Sequence, residues 1–97
     1  MKNSNTIIVG AGRLGGTIAR SLNKTANVIV IDRNASKIDR LGEYSGFVEK
    51  GEATDRALLE KCGVRNCYRF IAVTDDDNTN IFLADLCTHF YQIVDKV

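Results

Sequence analysis

One segment constrains this chain more than any other, the glycine-rich run Gly10-Ala11-Gly12-Arg13-Leu14-Gly15. It directly follows a β-branched run over residues 6–9, and it opens a stretch with the apolar periodicity of a helix. A strand, a glycine turn and a helix in this order are typical of the first unit of a nucleotide-binding α/β fold. In such a unit the first glycine permits the tight turn, the second lets a diphosphate approach the backbone, and the third lets the helix close on the strand.

An acidic residue at the end of the second predicted strand supports the same interpretation. Asp32 follows the apolar run 27–31 and lies about twenty positions after Gly12, the spacing of the acid that accepts hydrogen bonds from an adenosine ribose. The N-terminus of the first helix offers free N–H groups and a partial positive charge to phosphates. The alternative is a glycine turn that only packs a helix on a sheet, but the coincidence of turn, helix and acid favours a nucleotide site.

Two arginines leave open which phosphate groups the ligand carries. Arg33 either favours a 2′-phosphate or is simply solvated, and the neighbouring Asp32 favours a ligand without that phosphate. Arg13 lies in the first turn of a helix, where a cation does not help the helix dipole. It therefore either faces solvent or neutralises a terminal phosphate through its fork of donors. NAD and ATP both present a free adenosine ribose to Asp32, so both remain candidates.

Two later loops are expected at the same end of the sheet as the glycine loop, because parallel strands have their carboxyl ends together. A ligand of such a sheet lies beyond these ends. Glu52 and Ala53 follow the third predicted strand, and Thr74 and Asp75 follow the fourth. Ala53 is small enough to admit a base, and Thr74 can form hydrogen bonds to the base or to the sugar. The two acidic residues after Asp75 are interpreted as a solvated turn and as caps of the next helix.

Strand-like and helix-like segments alternate along the whole chain, which predicts a doubly wound parallel α/β sheet of the Rossmann type. Strands are predicted over 6–10, 27–31, 47–50 and 69–73; the polar third one is a candidate edge strand, and 93–97 could begin a fifth. Leu14, Ile18 and Leu22 predict the inner face of the first helix, while Asp55 and Gly63 predict the limits of the third. We expect one domain over 1–97, truncated to about four or five strands.

Composition excludes several classes of function. Thirteen basic and twelve acidic residues leave no excess charge for nucleic acid or an anionic membrane surface. No apolar run reaches the roughly 20 residues of a spanning helix, and none near the start forms a signal-peptide core, so we expect a cytoplasmic chain. Cys62, Cys67 and Cys87 with the single His89 make a poor zinc set, and reduced apolar cysteines are expected instead.

Catalytic machinery is not apparent in the sequence. A dehydrogenase needs a proton donor near the nicotinamide, and His89 lies late in the last predicted helix, remote from the strand ends. We therefore expect a domain that binds a nucleotide without transforming it. The cofactor-binding part of an NAD-dependent oxidoreductase is the alternative.

Four blocks of the sequence together resemble the N-terminal nucleotide-binding domain of the RCK or KTN family, which includes Trk potassium-uptake regulatory subunits. The blocks are IIVGAGRLGGTIARSL, VIVIDRN, GEATDRALLEKCGV and FIAVTDDDNTNIFLADL, and they cover about 6–90 in family order. The resemblance implies a cytosolic regulatory domain that binds NAD(H) or the adenine nucleotides ATP, ADP or AMP. It also implies a homodimer or ring that controls gating of a membrane-embedded potassium transporter or channel subunit.

Motif and resemblance together give one set of candidate ligand-binding residues: Gly10, Ala11, Gly12, Arg13, Leu14, Gly15, Asp32, Arg33, Glu52, Ala53, Thr74 and Asp75. Glu52 departs from the family pattern, in which many members have Asp. Asn80 matches a family asparagine for which a structural role is expected. The family fold continues beyond the length of this chain, and the last predicted helix is apolar nearly all round. We therefore expect at least a dimer that buries the face from Ile81 to Phe90.

Overall fold

Five strands, four α-helices and one 3-10 turn make up the part of the chain that the computed structural model describes, residues 5–42, 44–93 and 95–96. In chain order they are β1 (Asn5–Val9), α1 (Arg13–Leu22), β2 (Asn27–Asp32), α2 (Ala35–Asp39), β3 (Phe47–Lys50), α3 (Arg56–Lys61), the 3-10 turn (Val64–Asn66), β4 (Arg69–Ala72), α4 (Asp77–His89) and β5 (Asp95–Lys96). The predicted alternation of strands and helices is confirmed.

The strands form one parallel sheet in the order β3-β2-β1-β4-β5. The doubly wound α/β class is therefore confirmed, with β1 at the centre and β3 at an edge as its polar sequence predicts. The predicted fifth strand is also present, because Asp95 pairs with Arg69 of β4. Residues 94 and 97 of that prediction lie outside the described residues.

Two apolar cores flank the sheet, because successive side chains of a strand point to opposite faces. Ile7 and Val9 of β1 pack with α3 and α4 residues such as Leu59 and Leu83. Ile8, which lies between them, points to the other face and packs with β2, α1 and α2. Both faces are covered, which agrees with the continuous apolar runs of β1 and β2.

The buried face of α1 differs from the one that the sequence predicts. Its buried residues are Gly15, Gly16 and Ala19, whereas Leu14 is 60% exposed and Ile18 and Leu22 are only partly buried. The small residues let the helix backbone lie close to the sheet, and larger side chains would hold it away. The apolar stripe therefore lies at the margin of the contact with the sheet.

Side chains cap three of the four helices. Asn34 accepts hydrogen bonds from Ser36 N and Lys37 N, Asp55 accepts one from Ala57 N, and Asp76 accepts one from Asn78 N; these caps begin α2, α3 and α4. The cap that the sequence predicts for α3 is confirmed. Gly63 has φ +84° after the end of α3, which is the left-handed conformation expected there.

The last helix has more apolar surface than the described residues cover. Leu83 and Cys87 are buried, but Ile81, Phe82 and Phe90 are 60%, 44% and 49% exposed. None of the helices in the described residues combines the length and apolarity that crossing a bilayer requires.

Candidate functional site

Four loops meet at the carboxyl end of the sheet. The hydrogen bonds between neighbouring strands continue there for one residue past the ends of β1, β3 and β4. The Gly10 N–H donates to the Ile31 carbonyl at 2.8 Å, and the Val73 N–H donates to the Val9 carbonyl at 2.9 Å. The Gly51 N–H likewise donates to the carbonyl of Asp32 at 3.1 Å. The carboxyl ends of β1 to β4 therefore open together into one cleft, where the sequence places the ligand.

Seven of the predicted residues line this cleft, which we call the nucleotide cleft after the ligand that the sequence predicts: Gly10, Asp32, Arg33, Glu52, Ala53, Thr74 and Asp75. The next three, Ala11, Gly12 and Arg13, line a neighbouring cleft between α1 and α2. Neither cleft includes Leu14, which is exposed, or Gly15, which is buried. The structure thus brings most of the predicted set together and gives Gly15 a packing position behind the loop.

Each glycine of the motif has a distinct steric situation. Gly10 has φ +116°, and a Cβ there would lie 2.6 Å from the Val73 carbonyl oxygen. A Cβ on Gly15 would overlap the carbonyl oxygen of Gly10, so α1 and the turn pack backbone to backbone. Gly12 has no heavy atom within 4 Å of its Cβ position. Gly10 and Gly15 are therefore required by the fold, whereas Gly12 leaves open space beside the loop.

The N-terminus of α1 has no side-chain cap. Gly12 is its N-cap residue, no side chain accepts a hydrogen bond from the first turn, and that turn contains no acidic residue. The other three helices all begin at a capping Asn or Asp. The first N–H groups of α1, together with the positive end of its dipole, are consequently available to an anion from outside the protein.

Asp32 joins the end of β2 to the glycine loop. Its Oδ2 accepts a hydrogen bond from the Ala11 N–H at 2.7 Å, its Oδ1 accepts one from the Asn34 N–H at 2.8 Å, and the residue is 9% exposed. Each carboxylate oxygen has a second acceptor site, so these bonds leave capacity for hydroxyl donors. The carboxylate therefore fixes the loop and keeps the ability to accept from a ribose.

Thr74 is held in place by Asn80 of α4. The Thr74 hydroxyl donates to Oδ1 of Asn80 at 2.7 Å, and the Asn80 amide donates to the Thr74 carbonyl at 3.1 Å. The Thr74 N–H donates to the same Oδ1 at 3.1 Å. Because its hydroxyl proton is used within the protein, Thr74 can offer a ligand only an acceptor. The arrangement accords with the structural role expected for Asn80.

Charged pairs connect the loops around the cleft. Arg33 lies 3.7 Å from Glu52 between their side-chain charged atoms, and both side chains are exposed. Lys37 of α2 donates to Asp75 at 3.1 Å, and this hydrogen bond holds the pKa of Asp75 below its usual value. The hydroxyl of Thr79 donates to Asp76 at 2.7 Å and lowers the pKa of that carboxyl in the same way.

Sequence reasoning missed some residues of both clefts. Gly51, Asp76 and Thr79 also line the nucleotide cleft, and Lys37 and Arg40 line the cleft between α1 and α2. The spacing of Lys37 and Arg40 placed them on one face of α2. No pattern in the sequence showed that this face lies opposite the glycine loop.

The single histidine of the chain lies away from the nucleotide cleft. His89 lies at the far end of α4, whose first residues border the nucleotide cleft. In 5–42, 44–93 and 95–96 no three His, Cys, Asp or Glu side chains group closely enough to hold a metal ion. Cys62, Cys67 and Cys87 are free thiols, and burial raises the pKa of each.

Comparison with known proteins identifies close sequence relatives. The model of the TrkA-N domain family matches residues 6–96. The Trk system potassium uptake protein TrkA homolog of Pyrococcus horikoshii is 38% identical over 85 residues, which are 86% of this chain and 37% of that protein. TrkA of Vibrio alginolyticus is 35% identical over 82 residues, covering 82% of this chain and 18% of that protein.

A potassium-efflux protein is also similar. The glutathione-regulated potassium-efflux system protein KefC of Cronobacter sakazakii is 35% identical over 89 residues, covering 90% of this chain and 14% of that protein. The chain thus spans little more than a third of the Pyrococcus horikoshii relative and less than a fifth of each of the other two.

Two solved structures share the architecture. The RCK domain of GsuK superposes with a TM-score of 0.81 and 32% identity, covering 96% of this chain and 20% of that one. The C-terminal domain of Shewanella denitrificans Kef, in its AMP-bound form, superposes with a TM-score of 0.77. Its identity is 24% over 96% of this chain and 57% of that one, which shows a common fold.

Proposed function

The chain belongs to the TrkA-N domain family, and from that premise we propose that it is a regulatory nucleotide-binding domain of a potassium transport system. The uncapped N-terminus of α1 beside the glycine loop carries the proposal, because it presents unpaired N–H groups and a positive dipole where a diphosphate fits. Asp32 lies at the end of the adjacent strand and retains acceptor capacity for a ribose.

In the proposed complex, each part of an adenine nucleotide meets a different loop. The diphosphate lies on the backbone of the glycine loop over Gly12, where space is open. The ribose hydroxyls donate to Asp32, and the base lies over Ala53 between the loops that follow β2 and β3. Thr74 and Asp75 border the opposite wall of the cleft.

The ligand is NAD(H) or one of ATP, ADP and AMP. All of them carry the adenosine ribose and a phosphate group that this cleft fits, and the Kef domain of the same fold is an AMP complex. Arg13 adjoins the loop, where it can neutralise the terminal phosphate of ATP or ADP. No catalytic step is proposed.

Regulation requires the bound nucleotide to favour one arrangement of neighbouring subunits. We assign the subunit contact to the exposed α4 face formed by Ile81, Phe82 and Phe90, in a homodimer or a larger ring. The ring would act at the cytoplasmic side of a membrane-embedded potassium transporter subunit. The free energy by which a ligand shifts the equilibrium between the two arrangements equals the difference between its binding free energies for them.

Titration calorimetry with NAD, NADH, ATP, ADP and AMP tests the proposal. We expect at least one to bind, and Asp32→Asn to weaken it by about tenfold, since the ribose loses a charged acceptor. Asp39→Asn, an exposed acid on α2, is the matched control and should leave the affinity unchanged. Folded protein that binds none of the five ligands would refute the proposal.

Arg13→Ala distinguishes the two ligand classes. If Arg13 contacts a terminal phosphate, ATP affinity should fall by more than NAD affinity, whereas Lys24→Ala at the end of α1 should change neither. Equal losses for ATP and NAD would contradict the role of Arg13 and leave the nucleotide site itself standing. Sedimentation equilibrium of wild type against Phe82→Glu tests the subunit contact, and a monomeric wild type would contradict it.

A further inference from the structure

The cleft between α1 and α2 has an unusual concentration of positive charge. Its polar side chains are Arg13, Arg20, Lys37 and Arg40, and no carboxylate is among its lining residues. The chain as a whole is almost balanced, with 13 basic and 12 acidic residues. Four cations around one concave surface therefore form a local field that attracts an anion.

Arg20 and the glycine loop form part of the lining of this cleft. The Arg20 guanidinium donates to the Leu41 carbonyl at 3.2 Å, which fixes it at the end of α2. The lining also includes Ala11 and Gly12, so this cleft adjoins the glycine loop and the uncapped N-terminus of α1. Guanidinium and ammonium groups that line one cleft match the oxygens of a phosphate.

Lys37 links this cationic cleft to the nucleotide cleft. It lies on α2 and donates to Asp75, which follows β4, at 3.1 Å. Because β1 lies between β2 and β4, the bridge spans the carboxyl end of β1 beside the glycine loop. The pair is exposed on the Asp75 side, so it is weak enough to exchange for a doubly charged phosphate.

We propose that the α2 side of the cationic cleft, lined by Arg20, Lys37 and Arg40, is a phosphate subsite beside the diphosphate position on the glycine loop, and that Lys37 leaves Asp75 to complete it. The inference rests on the proposed nucleotide function. The ligand group is a phosphate dianion, carried either on the adenosine ribose next to Asp32 or as free phosphate or pyrophosphate. For the first source, the cations of the cleft would offset the charge of the Asp32 carboxylate, which would accept a hydrogen bond from the remaining ribose hydroxyl.

Calorimetry at constant ionic strength with NADP, NAD and pyrophosphate separates the outcomes. We expect Arg40→Gln to weaken pyrophosphate or NADP on the order of tenfold, while NAD is unaffected and Lys24→Gln changes none of the three. Tighter binding of NADP than NAD by wild type would assign the phosphate to the ribose. Binding of pyrophosphate without that preference would assign it to a free anion.

Asp75→Asn tests the exchange of Lys37. Release of Lys37 should strengthen the phosphate ligand by about two- to fivefold, whereas Asp77→Asn in the first turn of α4 should have no effect. The subsite is refuted if Arg40→Gln acts no more than Lys24→Gln on NADP and pyrophosphate while NAD still binds. A wild-type chain that binds no nucleotide would instead refute the proposed function.

Discussion

The same added methyl group should lower the stability of the chain at one glycine of the loop and leave it nearly unchanged at another. Gly15→Ala would improve intrinsic helix propensity by about 1 kcal/mol, yet its Cβ would overlap the Gly10 carbonyl oxygen. That oxygen belongs to a turn fixed by the hydrogen bond from Gly10 N to Ile31, so the whole helix must move. Overpacking costs about 1–3 kcal/mol, and overlap with a fixed backbone atom places Gly15→Ala at the top of that range or above it. After the gain in helix propensity, we expect a net loss of about 2 kcal/mol or more.

Gly12→Ala should leave the stability nearly unchanged. Its Cβ would meet no heavy atom within 4 Å, and its φ of −71° suits alanine. Alanine at an N-cap is worse than glycine by about 0.5–1 kcal/mol, and the loss of unfolded-state entropy returns about 0.4–1 kcal/mol. The expected net change in the free energy of unfolding is therefore within about 0.5 kcal/mol.

Thermal unfolding and nucleotide calorimetry measure the two effects separately. For a domain of this size about 1 kcal/mol shifts Tm by about 4–8 °C, so Gly15→Ala should lower Tm by roughly 10 °C. Gly12→Ala should stay within about 4 °C of wild type and bind nucleotide at least about tenfold more weakly, because its methyl group enters the phosphate position. Ser21→Ala on the same helix is the control. Equal Tm values for Gly12→Ala and Gly15→Ala would refute the steric reasoning.

Three further predictions concern stability. Asn80→Ala removes three hydrogen bonds to Thr74 and should cost about 2–3 kcal/mol in urea unfolding; an unchanged midpoint would contradict this. Burial raises the pKa of Cys87 to about 12 from 9.0, so the folded chain holds a proton that the unfolded chain loses. The free energy of unfolding should therefore fall above about pH 9 by about 1 kcal/mol per unit, and Cys87→Ala should flatten that decline; an identical slope would rule it out. Gly63→Ala at φ +84° should cost about 1 kcal/mol without any steric contact, which the same urea titrations would show.

The fold could be predicted because its strongest signals are local. β1 and β2 are continuous apolar runs between turn residues, Asp55 and Gly63 delimit α3 by capping chemistry, and polar β3 lies at the sheet edge. Each of these follows from the conformational preference of a residue and its immediate neighbours. The parallel order then follows from the alternation of strands and helices.

The inner face of α1 could not be predicted from periodicity. Leu14, Ile18 and Leu22 give the stronger apolar signal, but the buried positions of the helix are Gly15, Gly16 and Ala19. Gly15 approaches the Gly10 backbone closely because it has no side chain. A hydrophobic pattern shows where apolar side chains recur and does not show where two backbones come together.

The residues that line the cleft were predictable only where strand ends place them. Asp32, Ala53 and Thr74 follow strands directly, so topology brings them to the cleft. Lys37 reaches Asp75 across the glycine loop, and that contact depends on the packing angle of α2 on the sheet. The hydrogen bonds that occupy the Thr74 hydroxyl likewise depend on where Asn80 emerges on α4.

The central position of β1 has a consequence for how the chain folds. Its two neighbours in the sheet are β2, which follows after one helix, and β4, which comes from the other half of the sequence. Parallel pairing at such sequence separation is slow, because loop closure is unfavourable before the contacts form. The N-terminal half emerging from a ribosome would leave one edge of β1 unpaired and the nucleotide cleft without its second wall. In the proposed function, a nucleotide would therefore bind only after β4 has docked, and it would act as a late-stage ligand that slows unfolding without accelerating folding.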